Sequence, residues 1–325
     1  MSETPVAVAN KLVASGAIAD GIALLSRAAD AGDVDALMQL AVWHLVGDPV
    51  PRDLVGARAL LRRAVSIGHV DAALIEVALT ANGSGGVPDW AAALGLLRAA
   101  ALADPVAGGQ LKLLDAMKID ADGHPLVLPE PQMLGAGSGI MRFPRLFTPE
   151  ECAHVATVAA DLLEPARVID SRTGRWIAHP VRTAEDAAIG PTREDLVVQA
   201  LNRRIAAMSG TEAGQGESLA ILRYRPGQQF RLHSDTLPST RNQRVATVLV
   251  YLNEGFEGGR TTFPAYRLDI TPRAGDAIVF RNVDSNGAPD PTKRHSGEPV
   301  LRGTKWLATR WIRGRAFSPW DGPEA

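Results

Sequence analysis

A single cysteine, Cys152, occurs in 325 residues. No intrachain disulfide can form, and a metal site built from several thiolates is excluded. A lone thiol fits a reducing compartment. Basic excess is also missing, since 34 Lys and Arg face 36 Asp and Glu. No overall field draws the chain to phosphates, so nucleic acid is not expected as a partner. No apolar run reaches the length needed to span a bilayer. The opening MSETPVAVANKLVASG lacks the basic stretch and apolar core of a leader. The expectation is a cytoplasmic protein with neither membrane nor nucleic-acid partners.

The length suggests two domains, and 46% hydrophobic residues provide ample core. Across the first hundred or so residues a period of 36 is visible. Leu24, Leu25 and Ala28 recur as Leu60, Leu61 and Ala64, then as Leu96, Leu97 and Ala100. Val34 returns as Val70 and Val106, and Gly32 and Asp35 return as Gly68 and Asp71. Between units lie GDPVPRD and GSGGVPD, where Gly47 and Asp53 match Gly83 and Asp89 as loops between helix pairs should. Alanine-rich amphipathic helices at this period resemble the tetratricopeptide-like repeats of the Sel class over residues 5–115. That resemblance implies a short helical solenoid, which serves either as a stabilising prefix or as a concave surface for a protein partner.

Residues 116–140 carry proline, glycine and no sustained period, which reads as a linker. A second domain is expected over 141–318. Thr148, Pro149 and Glu151 form the start signal of a helix running to about Leu163. Another helix is expected from about Thr192 to Ser209, closed by Gly210. From Glu217 the pattern changes to short β-type runs: SLAILRY, ATVLVYLN, DAIVF and KWLATRWI. Strands without intervening helices suggest a sandwich or barrel. With the helices ahead of them they fit a double-stranded β-helix, or jelly roll, so the fold class is α+β.

His233-Ser234-Asp235 sets an imidazole and a carboxylate two residues apart, and strand geometry points both to one side. Such a pair arises by chance in many proteins and needs context. Beyond residue 180 the only other histidine is His295, in the polar segment RHSGEPV. Two histidines and one carboxylate on one face of an octahedral metal leave positions open for other ligands, the arrangement of non-haem Fe(II) oxygenases. Downstream, Lys305, Leu307, Thr309, Trp311 and Arg313 share a strand face. A lysine pointing into a barrel needs an anion.

Three blocks, LRYRPGQQFRLHSD, RVATVLVYLNEGFEGGRTTFP and HSGEPVLRGTKWLATRWI, together resemble the prolyl 4-hydroxylase catalytic domain over most of the second half. The resemblance implies an Fe(II)- and 2-oxoglutarate-dependent dioxygenase that uses O2, with ascorbate left open. His233, Asp235 and His295 would bind iron. Lys305, Thr261 and Tyr224 would hold the 2-oxoglutarate carboxylate, and Arg244 and Trp311 fall where the family contacts a peptide. Thr236 and Leu237 stand where aromatics are common, Phe230 replaces a usual tyrosine, and Arg313 replaces a common histidine. These departures bear on substrate more than on chemistry. The loop SNGAPDP is either a substrate-selecting element or a plain surface turn.

The implied reaction couples decarboxylation of 2-oxoglutarate to hydroxylation of a C–H bond, with a prolyl residue in a protein or peptide as the leading substrate. A free amino acid or small metabolite is the alternative, and would ask for a spare acidic residue in the pocket. From another class, the chain could be a catalytically silent scaffold working through its repeats. Asp235 argues against a halogenase, because its carboxylate fills the position a halide needs.

Overall fold

The computed structural model describes residues 3–169, 176–178, 181–271 and 273–321. Two compact units emerge. One comprises Met1–Met117 with Pro191–Gln199, the other Lys118–Gly190 with Ala200–Ala325.

The first unit is built on seven helices: α1 (Pro5–Ala14), α2 (Ile18–Asp30), α3 (Val34–Val46), α4 (Leu54–Ser66), α5 (Val70–Asn82), α6 (Trp90–Ala100) and α7 (Pro105–Ala116). Its repeat is visible residue by residue. Leu25, Leu61 and Leu97 are 0%, 1% and 0% exposed, each the central core contact of its helix. Gly47 and Gly83 close α3 and α5 in the left-handed conformation. At Gly83 a side chain is doubly excluded, since a Cβ would lie 2.5 Å from Pro88 Cγ. Asp53 and Asp89 then cap α4 and α6, accepting from the N–H of Gly56 and Ala92. Every helix packs on its chain neighbours, so the core runs along the stack rather than around one centre.

In the second unit, the Thr148 capping box starts α8 (Pro149–Ala159), which passes into a 3-10 turn over Ala160–Leu162. The helix α9 runs Leu196–Ser209, its residues to Gln199 counted with the first unit and those from Ala200 with the second. It begins later than the Thr192 of the sequence expectation because Asp195 acts as its cap, its Oδ1 accepting from Val198 N–H at 2.9 Å. Gly210, at φ 65°, follows its end as expected. Arg204 of α9 grips Glu151 of α8 through both terminal nitrogens, at 2.7 and 2.9 Å.

Eight strands form an antiparallel sheet in the order Gln132–Leu134, Ile140–Phe143, Ala277–Arg281, Arg244–Tyr251, Lys305–Arg313, Leu219–Tyr224, Glu185–Ile189, Glu164–Pro165. A smaller sheet runs Leu268–Ile270, Thr261–Phe263, His295–Gly297, Phe230–His233. From Leu219 onward the chain passes back and forth between the two sheets, the connectivity of a jelly roll. Leu222, Leu249, Tyr251, Ile278 and Leu307 of the large sheet share one core with Phe263 and Ile270 of the small one. The α+β fold class is therefore as expected.

The stretch 116–140 differs from the expected linker. Gln132–Leu134 pairs with Ile140–Phe143, Met133 opposite Met141, and forms an edge of the large sheet. Ahead of it, Asp120 Oδ1 organises a turn by accepting from the N–H of Asp122 and His124. Three residues are too few to show a strand period, so the pairing is supplied by the neighbouring strand. No helix among the described residues is long and apolar enough to cross a membrane.

The burial pattern of the repeat carries an expected outcome. Leu61→Ala should lower stability by about 2–5 kcal/mol, the usual cost of emptying a close-packed leucine site. Leu102→Ala, at a residue 90% exposed, should stay within about 0.5 kcal/mol. Urea unfolding followed by far-ultraviolet circular dichroism measures both, and equal losses would contradict the assignment of the core.

Candidate active site

The small sheet brings two distant histidines together. Its strands Phe230–His233 and His295–Gly297 are antiparallel with His295 directly opposite His233. Asp235 lies just beyond the end of the first strand, so strand alternation does not place it. A hydrogen bond of 2.6 Å from the Thr247 hydroxyl to Asp235 Oδ2 fixes its carboxylate instead. His233 Nε2 lies 3.5 Å from Asp235 Oδ1, and His295 Nε2 lies 3.6 Å from Oδ2. One ligand atom from each of the three residues falls within 4.8 Å of the others.

Orientation of both rings follows from the other nitrogen. His233 Nδ1 faces the Arg231 carbonyl at 2.8 Å and His295 Nδ1 faces that of Lys293 at 3.1 Å. A carbonyl only accepts, so Nδ1 carries the proton and each Nε2 presents a lone pair to the centre of the trio. His233 Nε2 is buried with no hydrogen-bond partner. An orphaned acceptor beside a second imidazole and a carboxylate is what a divalent cation satisfies, and the donor set fits Fe(II). Burial pushes the Asp235 carboxyl up, but His295 and His233 in their protonated forms, with the Thr247 hydroxyl, outweigh it and draw the group well below the usual carboxylate range; a bound cation would take over the imidazolium role. His295 is lowered by burial, which favours its neutral, ligating form. Phe230 stacks on His233 with ring centroids 3.4 Å apart, and Phe280 meets His295 edge-on at 4.8 Å.

Behind the trio lies an inner cavity onto which Lys305, Thr261, Tyr224, Thr309 and Trp311 open. Lys305 is 2% exposed and sits opposite Tyr224 in the strand register. Its Nζ donates to the Gly259 carbonyl at 2.7 Å and meets no carboxylate among the described residues. Burial pushes its ammonium down to about 7. Thr261 accepts from the Tyr251 hydroxyl at 2.8 Å. Thr309 Oγ1 and Trp311 Nε1 are buried without partners. A cation with no anion and two idle polar groups fit a dicarboxylate. The cavity is only about 30 Å³, room for one water, so a diacid enters with side-chain rearrangement.

Outside the trio opens a cleft of about 1070 Å³, sharing Phe230, His233, Asp235 and Trp311 with the inner cavity. Arg244 and Trp311 both line it, the guanidinium 4.0 Å from the indole centroid. Arg244 is not an idle cation, because it binds Glu217 through Nε and Nη2 at 2.6 and 2.7 Å. Arg313 is buried and donates from Nε to the same carboxylate at 2.5 Å and from Nη1 to the Asn242 carbonyl at 2.6 Å. Glu217 and Asp186 are thus acidic residues in the cleft wall that sequence reasoning did not place there, and Asp186 pairs with Arg182.

Thr247, Tyr251 and Asn282 also went unnoticed in the sequence. Apart from their place within β-type runs or loops, nothing local marks them. The SNGAPDP loop is a self-closed turn: Asp284 Oδ1 accepts from the N–H of Asn286 and Ala288, and Val283 bridges Pro289. None of its residues lines either cavity.

A family model for the 2OG-Fe(II) oxygenase superfamily matches residues 219–313, the strands that carry the trio and Lys305. Prolyl 4-hydroxylase 1 of Arabidopsis thaliana is 33% identical over 208 residues, covering 58% of this chain and 74% of that protein. Among solved structures, the viral collagen prolyl hydroxylase of Paramecium Bursaria Chlorella virus-1 aligns with TM-score 0.44 at 24% identity, over 55% of this chain and 98% of that one. A Sel1 repeat protein from Oxalobacter formigenes aligns with TM-score 0.30 at 19% identity, over 33% of this chain and 85% of that one. Sequence identity that extends over most of a prolyl 4-hydroxylase, together with the superfamily match, shows that this chain belongs to the prolyl 4-hydroxylase family and is a 2-oxoglutarate-dependent dioxygenase.

Proposed function

We propose that the protein hydroxylates a prolyl residue in a protein or peptide, with Fe(II) held by His233, Asp235 and His295 and 2-oxoglutarate anchored by Lys305, Thr261 and Tyr224. The observation that carries the reading is the buried lysine without a counter-ion among the described residues, in the same small cavity as an orphaned histidine nitrogen. When bound, the iron would supply activation of dioxygen, the oxidant, one oxygen atom of which would enter the substrate C–H bond and the other the succinate left when 2-oxoglutarate loses CO2. The chain's own groups do the rest. Nε2 of each histidine and one Asp235 oxygen hold the metal on one face, Lys305 neutralises the far carboxylate, and the aromatic wall of Phe230, Phe263 and Phe280 keeps the site dry.

Polypeptide is favoured over a free amino acid by the outer cleft. An amino acid needs both an anion and a cation held for it near the reacting carbon. Glu217 is already shared by two arginines and Asp186 is paired with Arg182, so apart from Asp235 the acid of this wall without an ion pair among the described residues is the solvent-exposed Glu164, and no buried carboxylate is held in reserve for an ammonium group. A cleft of about 1070 Å³ with Trp311 braced by Arg244 suits an extended segment whose proline ring packs on the indole.

Purified protein is expected to bind Fe(II) and form succinate from 2-oxoglutarate. His233→Ala and His295→Ala should each abolish both, and substantial succinate from either variant under limiting iron would refute the ligand assignment.

Lys305 gives a signed pH dependence. Its folded pKa of about 7 lies below the ordinary 10.5, so the unfolded chain binds this proton more tightly. Lys305 therefore subtracts stability below pH 7, and the penalty fades as pH rises from about 7 toward 10.5. Lys305→Met should raise the melting temperature of the ligand-free protein near pH 7 while raising the 2-oxoglutarate Michaelis constant by the equivalent of about 2–5 kcal/mol. In the unsubstituted protein the same constant should climb above pH 7 as the ammonium is lost. A flat profile with an unchanged constant in the variant would remove the anchor role.

For the substrate, Arg244→Ala and Trp311→Ala should cut hydroxylation of prolyl peptides by roughly tenfold, equal to about 1.4 kcal/mol, with uncoupled 2-oxoglutarate decay less affected. Mass spectrometry reads the added oxygen atom. Stoichiometric hydroxylation of a free amino acid, with no coupling to any prolyl peptide, would favour the small-molecule alternative.

A further inference from the structure

We propose that Asn282 is a positioning residue for the metal site, setting Asp235 through its side chain and His295 through its backbone. The proposal rests on the reading of His233, Asp235 and His295 as a metal trio. Thr247, in the Arg244–Tyr251 strand, is 0% exposed, and its hydroxyl donates to Asp235 Oδ2 at 2.6 Å. A hydroxyl has one proton, and an ionised carboxylate can only accept, so that proton is committed to Asp235. Thr247 Oγ1 is left as an acceptor, and Asn282 Nδ2 meets it at 2.9 Å. The network thereby dictates which end of the buried amide faces Thr247.

The backbone of Asn282 does the second task. Its N–H donates to the Val245 carbonyl, and its own carbonyl accepts from Asp290 N–H, both at 2.9 Å. Asp290 begins the 3-10 turn Pro291–Lys293, with Oδ1 accepting from Thr292 N–H at 2.9 Å and Oδ2 from Lys293 Nζ at 2.9 Å. Lys293 Nζ also donates to the Tyr266 hydroxyl at 2.9 Å. The product of this stapling is a fixed Lys293 carbonyl, the group that accepts from His295 Nδ1. One residue at the end of a sheet strand thus braces two of the three proposed ligands. On the Asp235 side the consequence is chemical: Oδ2 accepts from Thr247 while Oδ1 has no hydrogen-bond donor among the described residues, which favours Oδ1 as the single atom offered to the metal and leaves coordination positions for co-substrate and dioxygen.

The test uses Co(II) as the probe, titrated into the ligand-free full chain and followed by its visible ligand-field absorbance, with thermal melting alongside. Asn282→Asp, which sets an acceptor against an acceptor, and Thr247→Val, which removes the hydroxyl at constant shape, should each weaken Co(II) binding by about 10–100-fold and change the band pattern. Thr247→Ser, which keeps the donor, should restore both. If the unsubstituted protein fails to bind Co(II), or Asp235→Ala binds it equally well, the metal-site reading itself is overturned. If that reading holds and both variants bind with unaltered affinity and bands, the role of Asn282 is overturned alone. Should Asn282→Asp fail to fold, Thr247→Val and its serine rescue decide the matter: loss with rescue supports the relay, and wild-type binding by the valine variant rejects it.

Discussion

The pairing of His295 against His233 across two short antiparallel strands is the contact from which the site is built. Neither strand exceeds four residues, and a two-stranded ribbon of that size has little stability of its own. It persists because the small sheet packs on the large one, with Phe263 and Phe280 in edge contact at 5.0 Å and Phe280 against His295. Ring orientation is then set by main-chain carbonyls two residues back, that of Arg231 within the same strand as His233 and that of Lys293 in the 3-10 turn ahead of His295, so both imidazoles are oriented by backbone groups. Loss of register by one residue would turn one imidazole to the opposite face.

The two cavities differ in how they manage charge. In the inner one, Lys305 is left without a carboxylate and its ammonium is weakened by burial. In the outer one, each acid that lines the wall beside an arginine is paired with it, and Glu217 serves two. A site that keeps one buried charge unmatched is prepared for an anion, while a wall whose part-buried acids are matched, with only the exposed Glu164 unpaired, selects by shape and by directed hydrogen bonds. Arg313 contributes to this matching from the position where the sequence departs from the family pattern.

The helical unit obeys a different economy. Its core is a row of leucines and small residues repeated at fixed spacing, and one turn recurs in it, a glycine closing α3 and α5 and an aspartate capping the α4 and α6 that follow. One buried cluster interrupts the apolar pattern, where Glu76 binds Arg58 and Arg62 at 2.7 and 2.8 Å and Arg58 also reaches Thr80. Arg58 and Glu76 are almost fully buried, so removal of Glu76 would strand the Arg58 guanidinium, whereas Glu76 without Arg58 would keep Arg62.

The repeat, its caps and the α+β order of the chain were legible in the sequence because each rests on local spacing: a period of 36, a glycine or aspartate at a helix end, and apolar runs between turns. The chemistry-bearing residue types were legible for a similar reason, since few histidines exist to choose from. What the sequence could not contain was anything decided by contacts between distant segments. The strand Gln132–Leu134 exists because Ile140–Phe143 lies beside it. Asp235 is aimed by a threonine on another strand and not by the alternation of its own, and Arg244 is engaged by a glutamate that no spacing connects to it. Spacing along the chain fixes which side chains share a face, but only packing of the two sheets brings faces together, removes water from between them and so determines which charges are matched and which are left for a ligand.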